Sequence, residues 1–384
     1  MSHDWKALIG ALQASPPEDF AGRWRLLGRH GVFEPLRRRE TLVEGCAQLE
    51  RLAYDLDSLG VFISIISGCG LALPILDAVS DHGPHAELCD AIVSGRSVAA
   101  VAITEPGAGS DVFGMTTSLC GTPGALRLRG RKWCITNAPV ADHIIVFCRN
   151  VTTHEHYLTA VLVPREAPGV VVSPPLKLAG VQGSPTGEIS FSDVEIRETW
   201  VLGPPERGKL LLDLAFARER ILAPWPLIGK MSRVLQDALD HVEARRQFGK
   251  PIKEFQYVQD KIVGAFETLE TTRLLAAETL RRYASAGSAH LHASLAKYHA
   301  AEGAAAVFKT MIEVHGSHGL VSEARLAQHL IDAMCAAMAG GTRESHKRVV
   351  FDQLVRDRAR ARRTGRSRVF TTTHARARDG ERHA

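Results

Sequence analysis

The chain has 384 residues, 45% of them hydrophobic and 23% charged, with a formal net charge of +5. That length accommodates two or three packed units with substantial cores, and the composition is that of an ordinary globular protein. No apolar run reaches the roughly 20 residues that span a bilayer, so no membrane role is expected. The start Met1-Ser2-His3-Asp4-Trp5 lacks a basic stretch followed by an apolar core, so no secretory signal is expected. Neither helix-turn-helix spacing nor aromatic-basic interleaving points to nucleic acid. Seven cysteines, at 46, 69, 89, 120, 134, 148 and 335, form no CxxC pair. An odd, scattered set fits reduced thiols in a cytoplasmic protein. No Cys/His cluster has metal-ligand spacing, and no metal is expected.

In chain order, residues 1–98 read as helices, with apolar residues three and four apart through Leu42-Val43, Cys46, Leu49 and Leu52-Ala53. Residues 99–205 switch to period two. Leu126-Arg127-Leu128-Arg129 and Glu188-Ile189-Ser190-Phe191-Ser192 alternate, while Ile144-Ile145-Val146-Phe147 and Ala160-Val161-Leu162-Val163 are short runs typical of buried strands. Pro123-Gly124, Pro168-Gly169 and Pro174-Pro175 punctuate them. Residues 206–356 return to helical spacing, with Val258, Ile262, Ala265 and Leu269 on one face and small residues from Ala300 to Ala306. Residues 357–384 form an Arg-rich tail, read as a solvated or disordered end or as a docking patch for an acidic partner. The order is helices, strands, helices, without internal repeats.

Thr104-Glu105-Pro106-Gly107-Ala108-Gly109-Ser110-Asp111 follows the apolar strand Val101-Ala102-Ile103. Its glycines and hydroxyls suit a turn whose N–H groups face phosphate oxygens or the polar edge of a heterocycle. Taken by itself, the loop is better explained as a plain strand-to-loop turn. Further along stand Gly130-Arg131-Lys132, Ile135-Thr136-Asn137-Ala138 with Ala141-Asp142, and Gly183-Ser184-Pro185-Thr186-Gly187-Glu188 before Phe191-Ser192-Asp193-Val194. Arg245-Arg246-Gln247-Phe248-Gly249-Lys250-Pro251-Ile252 then precedes Phe255-Gln256-Tyr257, and Gly316–Gly319 and Gly341-Thr342 close the series. This ordered set resembles the acyl-CoA dehydrogenases over roughly residues 40–355.

The resemblance implies a multi-domain α+β fold. It comprises an N-terminal helical domain, a middle β-barrel or sandwich domain and a C-terminal four-helix bundle. It also implies FAD, bound between the β domain and the C-terminal helices of a homodimer or homotetramer. By position, Ile103 and Thr104 meet one edge of the isoalloxazine, and Ile135 and Thr136 run along its other side. Arg245, Gln247 and Phe248 meet the diphosphate or adenosine, with Phe255 and Gln256 following in the same motif. Glu313, Gly316 and Ser317 reach the cofactor from across the dimer interface, and Thr342 and Glu344 close over the adenosine end. Arg245 is a charge-assisted clamp in this reading, and Thr342 an N-cap of a helix from Arg343 to Leu354. Glu313 replaces the usual Gln, and Cys134, beside Trp133, stands where an aromatic commonly covers the flavin. One strand position separates opposite faces, which puts the usual cover in question.

The family's reaction removes an α-proton from an acyl thioester and passes the β-hydrogen to the flavin as hydride. Many members carry the base directly before the Gly-Thr pair, where this chain has Gly340. Members acting on branched and long acyl chains place it on an earlier helix, and Glu219 matches that position. Its helical neighbours Ala215, Phe216, Leu222 and Ala223 are apolar, so Glu219 is expected to face inward with a raised pKa while Arg218 and Arg220 diverge from it. The alternatives are a structurally paired Glu219, a helix bent outward at Pro224 and Pro226, or Glu344 as base. Ser110 and Arg220 match positions near the thioester and pantetheine arm. Ala217 replaces an Asp common in the family, and the N-terminal region is short. With the basic tail, these departures raise an acyl group carried by an acyl carrier protein, rather than by CoA, as the substrate. An oxidase or monooxygenase on the same scaffold, an aminoacyl or hydroxyacyl carrier-protein substrate, and a non-catalytic relative remain as alternatives. The electron acceptor is not legible.

Overall fold

The structure, a computed structural model, describes residues 5–16, 19–79, 84–122, 124–152 and 157–363. Seven helices come first: α1 (Trp5–Ala14), α2 (Phe20–Arg29), α3 (Glu34–Arg37), α4 (Leu42–Asp55), α5 (Gly60–Ile65), α6 (Leu73–Ala78) and α7 (Pro84–Val93). In α4 the three-and-four spacing becomes a buried stripe of Leu42, Cys46, Leu49, Leu52 and Ala53. Trp24 anchors the same core, its ring centroid 5.5 Å from that of Phe20 and 4.5 Å from that of Phe33. A π-helical turn, Ile66–Ala72, joins α5 to α6. The path Gly60–Ala78, 19 residues, is long and apolar enough to cross a membrane by composition, but 72% of its apolar window is buried inside the protein, as in a core helix.

The middle region is a seven-stranded sheet: β1 (Ala99–Ala102), β2 (Ser118–Cys120), β3 (Leu126–Thr136), β4 (His143–Asn150), β5 (Tyr157–Pro164), β6 (Val170–Val172) and β7 (Thr186–Ile196). Its order is β1-β4-β2-β3-β7-β6, with β5 on the other edge of β4. Alternate residues of β4 and β5 enter two cores. Ile144, Val146, Val161 and Val163 pack inside the sheet domain, while Ile145, Phe147, Ala160 and Leu162 join the helical core. Burial on both faces is why these strands read as continuous apolar runs. The described strands form this one sheet and a two-residue ribbon, β8 (Arg246–Gln247) with β9 (Lys250–Pro251).

The C-terminal helices are α8 (Gly208–Leu222), α9 (Pro224–Ala244), α10 (Gln256–Ala286), α11 (His290–His315), α12 (Leu326–Met338) and α13 (Arg343–Arg363). They form a helical bundle in which α11 touches α8, α9, α10, α12 and α13. Small buried residues on α11, among them Ala293, Ala296, Ala300, Gly303 and Ala304, allow that crowding. A Cβ at Gly303 would lie 2.9 Å from Thr268 Cγ2 on α10. Helix α13 extends to Arg363, nine residues past the expected Leu354, so residues 357–363 are helical rather than part of a disordered tail. The rest of the Arg-rich tail lies outside the described residues.

Candidate active site

Glu219 sits in the last turn of α8 with a side chain 5% exposed. The sequence predicts an inward carboxylate, and it does point inward. Its wall is not purely apolar: Lys297 of α11 places Nζ 3.0 Å from Glu219 Oε1. Lys297 is also buried, and its ammonium donates to the carbonyl of Ala339. Glu219 Oε2 has no hydrogen-bond partner among the described residues. The carboxylate abuts the α12–α13 connection, where a Cβ added at Gly340 would lie 2.5 Å from Glu219 Cδ and 2.6 Å from Oε2. From the other side the π-helical turn closes in, and a Cβ at Gly70 would stand 3.4 Å from Glu219 Cα. Such turns recur where helices bend around functional groups.

Charge around Glu219 is arranged on three helices. Burial pushes the Lys297 ammonium below its ordinary range, while Glu219 pulls it back up. His346, one turn into α13, is 1% exposed with neither ring nitrogen partnered among the described residues. Burial, then the cations Lys297 and Arg220, push its pKa down to about 3. Arg220 is half-buried, packs over the Phe216 ring at 5.2 Å and donates to Ser294 Oγ at 3.4 Å. Burial lowers its pKa, and Glu219 opposes that. Arg218 does diverge from Glu219, but into the protein. Its guanidinium donates to the carbonyls of Leu36 and Arg37 and to Tyr283 Oη. Lys297 and His346 also line a cavity of about 230 Å³ between α11, α12 and α13, with Tyr298, Glu302, Met338 and Arg343.

The 104–111 loop is built on a buried ion pair. Lys132 Nζ lies 2.9 Å from Glu105 Oε1 and donates to the Ile103 carbonyl at 2.8 Å. Burial would raise the Glu105 carboxyl, but hydrogen bonds from Thr117 and Thr116 and the Lys132 ammonium outweigh it and hold the pKa at about 2. Glu105 and Ala108 exchange backbone hydrogen bonds across the turn, so those two N–H groups are committed rather than free for an anion. Ser110 is exposed at the loop tip. The Trp133 N–H donates to the Thr104 carbonyl at 2.9 Å, which brings Ile103 and Thr104 alongside the β3 segment carrying Cys134, Ile135 and Thr136. A bulge between Lys132 and Ile135 adds one residue to β3. Cys134 takes φ +55°, and Trp133 and Cys134 are consecutive and both exposed. The bulge suspends the one-in, one-out alternation, so Trp133 is not lost to the opposite face.

A second group of candidate residues lies on exposed turns at the ends of the bundle helices. Arg245, Gln247 and Gln256 are exposed, and Phe248 is 91% exposed at φ +48° with its ring edge-on to Phe255 at 6.0 Å. An exposed aromatic ring in the same turn as an exposed guanidinium and amide suits a nucleotide diphosphate. Glu313 is not free to oppose an anion there, because Lys309 and Lys261 both pair with it. Gly316 takes φ +60°, and Ser317 is exposed beside it. At the start of α13 the Ser345 N–H donates to Thr342 Oγ1 at 3.4 Å, the N-cap contact expected of Thr342, and Glu344 is exposed in the first turn.

Sequence reasoning missed Lys297 and His346. Lys297 carried a legible signal, a lone lysine on the α11 stripe of Ala293, Ala300 and Ala304. His346 carried none, because α13 is polar on every face and shows no apolar stripe that would mark a buried side.

The model of the acyl-CoA dehydrogenase middle domain matches residues 100–194, and that of the acyl-CoA dehydrogenase C-terminal domain matches residues 206–355. The chain belongs to the acyl-CoA dehydrogenase family. It is accordingly a FAD-dependent oxidoreductase of acyl thioesters. Benzylmalonyl-CoA dehydrogenase of Aromatoleum aromaticum is 30% identical over 314 residues, 82% of each chain. An L-prolyl-[peptidyl-carrier protein] dehydrogenase of Pseudomonas fluorescens is 27% identical over 346 residues, 87% of this chain and 90% of the relative. The crystal structure of the prolyl acyl carrier protein oxidase AnaB is similar in fold, with a TM-score of 0.85 at 22% identity, covering 91% of this chain and 97% of that one.

Proposed function

We propose that this enzyme oxidises an acyl group held as a thioester on a carrier protein, with Glu219 as the base that takes the α-proton. The observation that carries the base assignment is the burial of the Glu219 carboxylate against Gly340. In this family the base stands either at the position of Gly340 or on the earlier helix, and here the second position delivers its carboxylate to the first. Oxidation removes that proton and a β-hydride, two electrons in all, and bound FAD supplies the hydride acceptor. Ile103, Thr104, Ile135 and Thr136, with Trp133 and Cys134 at the bulge, would flank the flavin ring. Arg245, Gln247, Phe248, Phe255 and Gln256 would take the diphosphate and adenosine. Glu313, Gly316 and Ser317 would do so from a second copy of the chain, and Thr342 and Glu344 would close that end. Ser110 and Arg220 would meet the thioester arm.

Two observations support a carrier-protein substrate. The prolyl-[peptidyl-carrier protein] dehydrogenases are relatives over most of the chain. The chain also ends in an Arg-rich sequence that would steer an acidic carrier domain. The test is anaerobic flavin bleaching with one aminoacyl or acyl group presented as a carrier-protein ester and as a CoA ester. Faster bleaching with the carrier ester supports the proposal, whereas equal rates or a preference for CoA overturn it.

A further inference from the structure

Lys297 has no part in the assignments above, yet it is the only cation whose nitrogen lies within ion-pair distance of Glu219 among the described residues. We propose that Lys297 is the positioning residue of the active site: it holds Glu219 ionised and fixes one carboxylate oxygen, leaving the other to receive the proton. The inference rests on Glu219 being the base, and the test separates the two.

The geometry divides the carboxylate into two unlike oxygens. Oε1 is tied to Lys297 Nζ at 3.0 Å, and Oε2 has no partner among the described residues. Lys297 is itself held by the Ala339 carbonyl, next to the Gly340 backbone that the carboxylate abuts. The ammonium therefore spans from α11 to both the base and the connection that bounds the site. A carboxylate buried without a cation favours its protonated form and cannot accept a proton at neutral pH. Lys297 supplies such a cation, with its nitrogen 3.0 Å from Oε1.

Other groups facing this pair do not replace it. On α8, Arg220 also couples to Glu219 through charge, but its guanidinium is turned to Phe216 and Ser294 and makes no ion pair with the carboxylate among the described residues. On α13, His346 is kept neutral across the working range by burial and by Lys297 and Arg220. Asp213 and His290 both couple to Arg220. The connection contributes the Ala339 carbonyl, which accepts from Lys297. Removing the Lys297 charge therefore removes the principal group that favours an ionised Glu219.

The experiment is anaerobic stopped-flow flavin reduction from pH 5 to 9 with the FAD-loaded wild type, Lys297→Met and Lys297→Arg. In Lys297→Met the acid limb of the rate profile should move up by about 1–3 pH units, the range by which an opposite charge shifts a carboxylate. Lys297→Arg should restore a limb close to the wild-type position, with a lower plateau. A FAD-bound Lys297→Met protein with the wild-type profile overturns the proposal while leaving the base assignment intact. Loss of the base assignment shows separately, as undiminished bleaching by Glu219→Gln. A second measurement is independent of whether the Lys297 variants fold: the infrared difference between wild type and Glu219→Gln at pH 7, both oxidised and substrate-free. Carboxylate stretches from Glu219 support the proposal, and a protonated-acid carbonyl band contradicts it.

Discussion

The Glu219 carboxylate occupies the space in which a side chain on Gly340 would begin, with Cδ 2.5 Å from where that Cβ would lie. Residues distant in sequence thus share one volume, and glycine at 340 is a condition for Glu219 standing where it does. Gly340 also takes φ +63°, in the left-handed region. Gly340→Ala should therefore push Glu219 off its position as well as straining the connection, at a stability loss of about 1–2 kcal/mol. Flavin bleaching in the folded, FAD-bound variant should slow by about tenfold or more, because small misplacements of a reacting group are costly. An unchanged rate would show that the carboxylate does not need this space.

The Glu105–Lys132 pair should set the acid stability of the β region. The Glu105 pKa is held at about 2, below the 4.5 of an unperturbed carboxyl. A depressed carboxyl contributes stability that is complete above the unfolded value and lost as pH falls through the folded one. Between pH 4.5 and 2 the wild type should lose on the order of 2–3 kcal/mol from this group. Denaturant titrations at several pH values should give a shallower acid decline for Glu105→Gln. Lys132→Met, which strands a buried carboxylate, should cost about 3–5 kcal/mol at pH 7.

Arg245→Ala should weaken FAD binding without changing the fold, since Arg245 is exposed just past the end of α9. A lost charge-assisted contact to a diphosphate corresponds to about 1.5–3 kcal/mol, or roughly 10- to 150-fold in Kd. Titrating FAD into the apoprotein checks this. Equal affinity would remove Arg245 from the cofactor set.

Much of this architecture is readable from pattern alone. The α4 stripe is local, set by residues three and four apart, and the alternation of β3 and β7 survives in the antiparallel ladder. Continuous apolar runs in β4 and β5 signalled strands covered on both faces. Asn137 and Asp142 lie in motifs that carried the resemblance, but in the fold they tie elements together. Asn137 donates to the Ser64 and Ala99 carbonyls, and Asp142 accepts from Val98 N and Ser97 Oγ.

The unreadable part is tertiary. An inward Glu219 follows from helical spacing, but its partner Lys297 sits on another helix, and periodicity says nothing of which stripes meet. The apolar neighbours of Glu219 on α8 therefore describe one part of its wall, and Lys297 of α11 completes it. The bulge after Lys132 was hidden because one extra residue leaves no mark on composition. Helix α13 runs past Leu354 because its Arg- and Ala-rich continuation favours helix even where it looks like a solvated tail.

The most direct measurement is anaerobic flavin bleaching by Glu219→Gln, loaded with FAD and mixed with saturating acyl thioester. The amide keeps the shape and removes the base, so the expected result is an unaltered flavin spectrum before mixing and a reduction rate lower by about 10²–10⁴-fold. Bleaching at the wild-type rate would mean that another group takes the proton, and the assignment of Glu219 would be wrong.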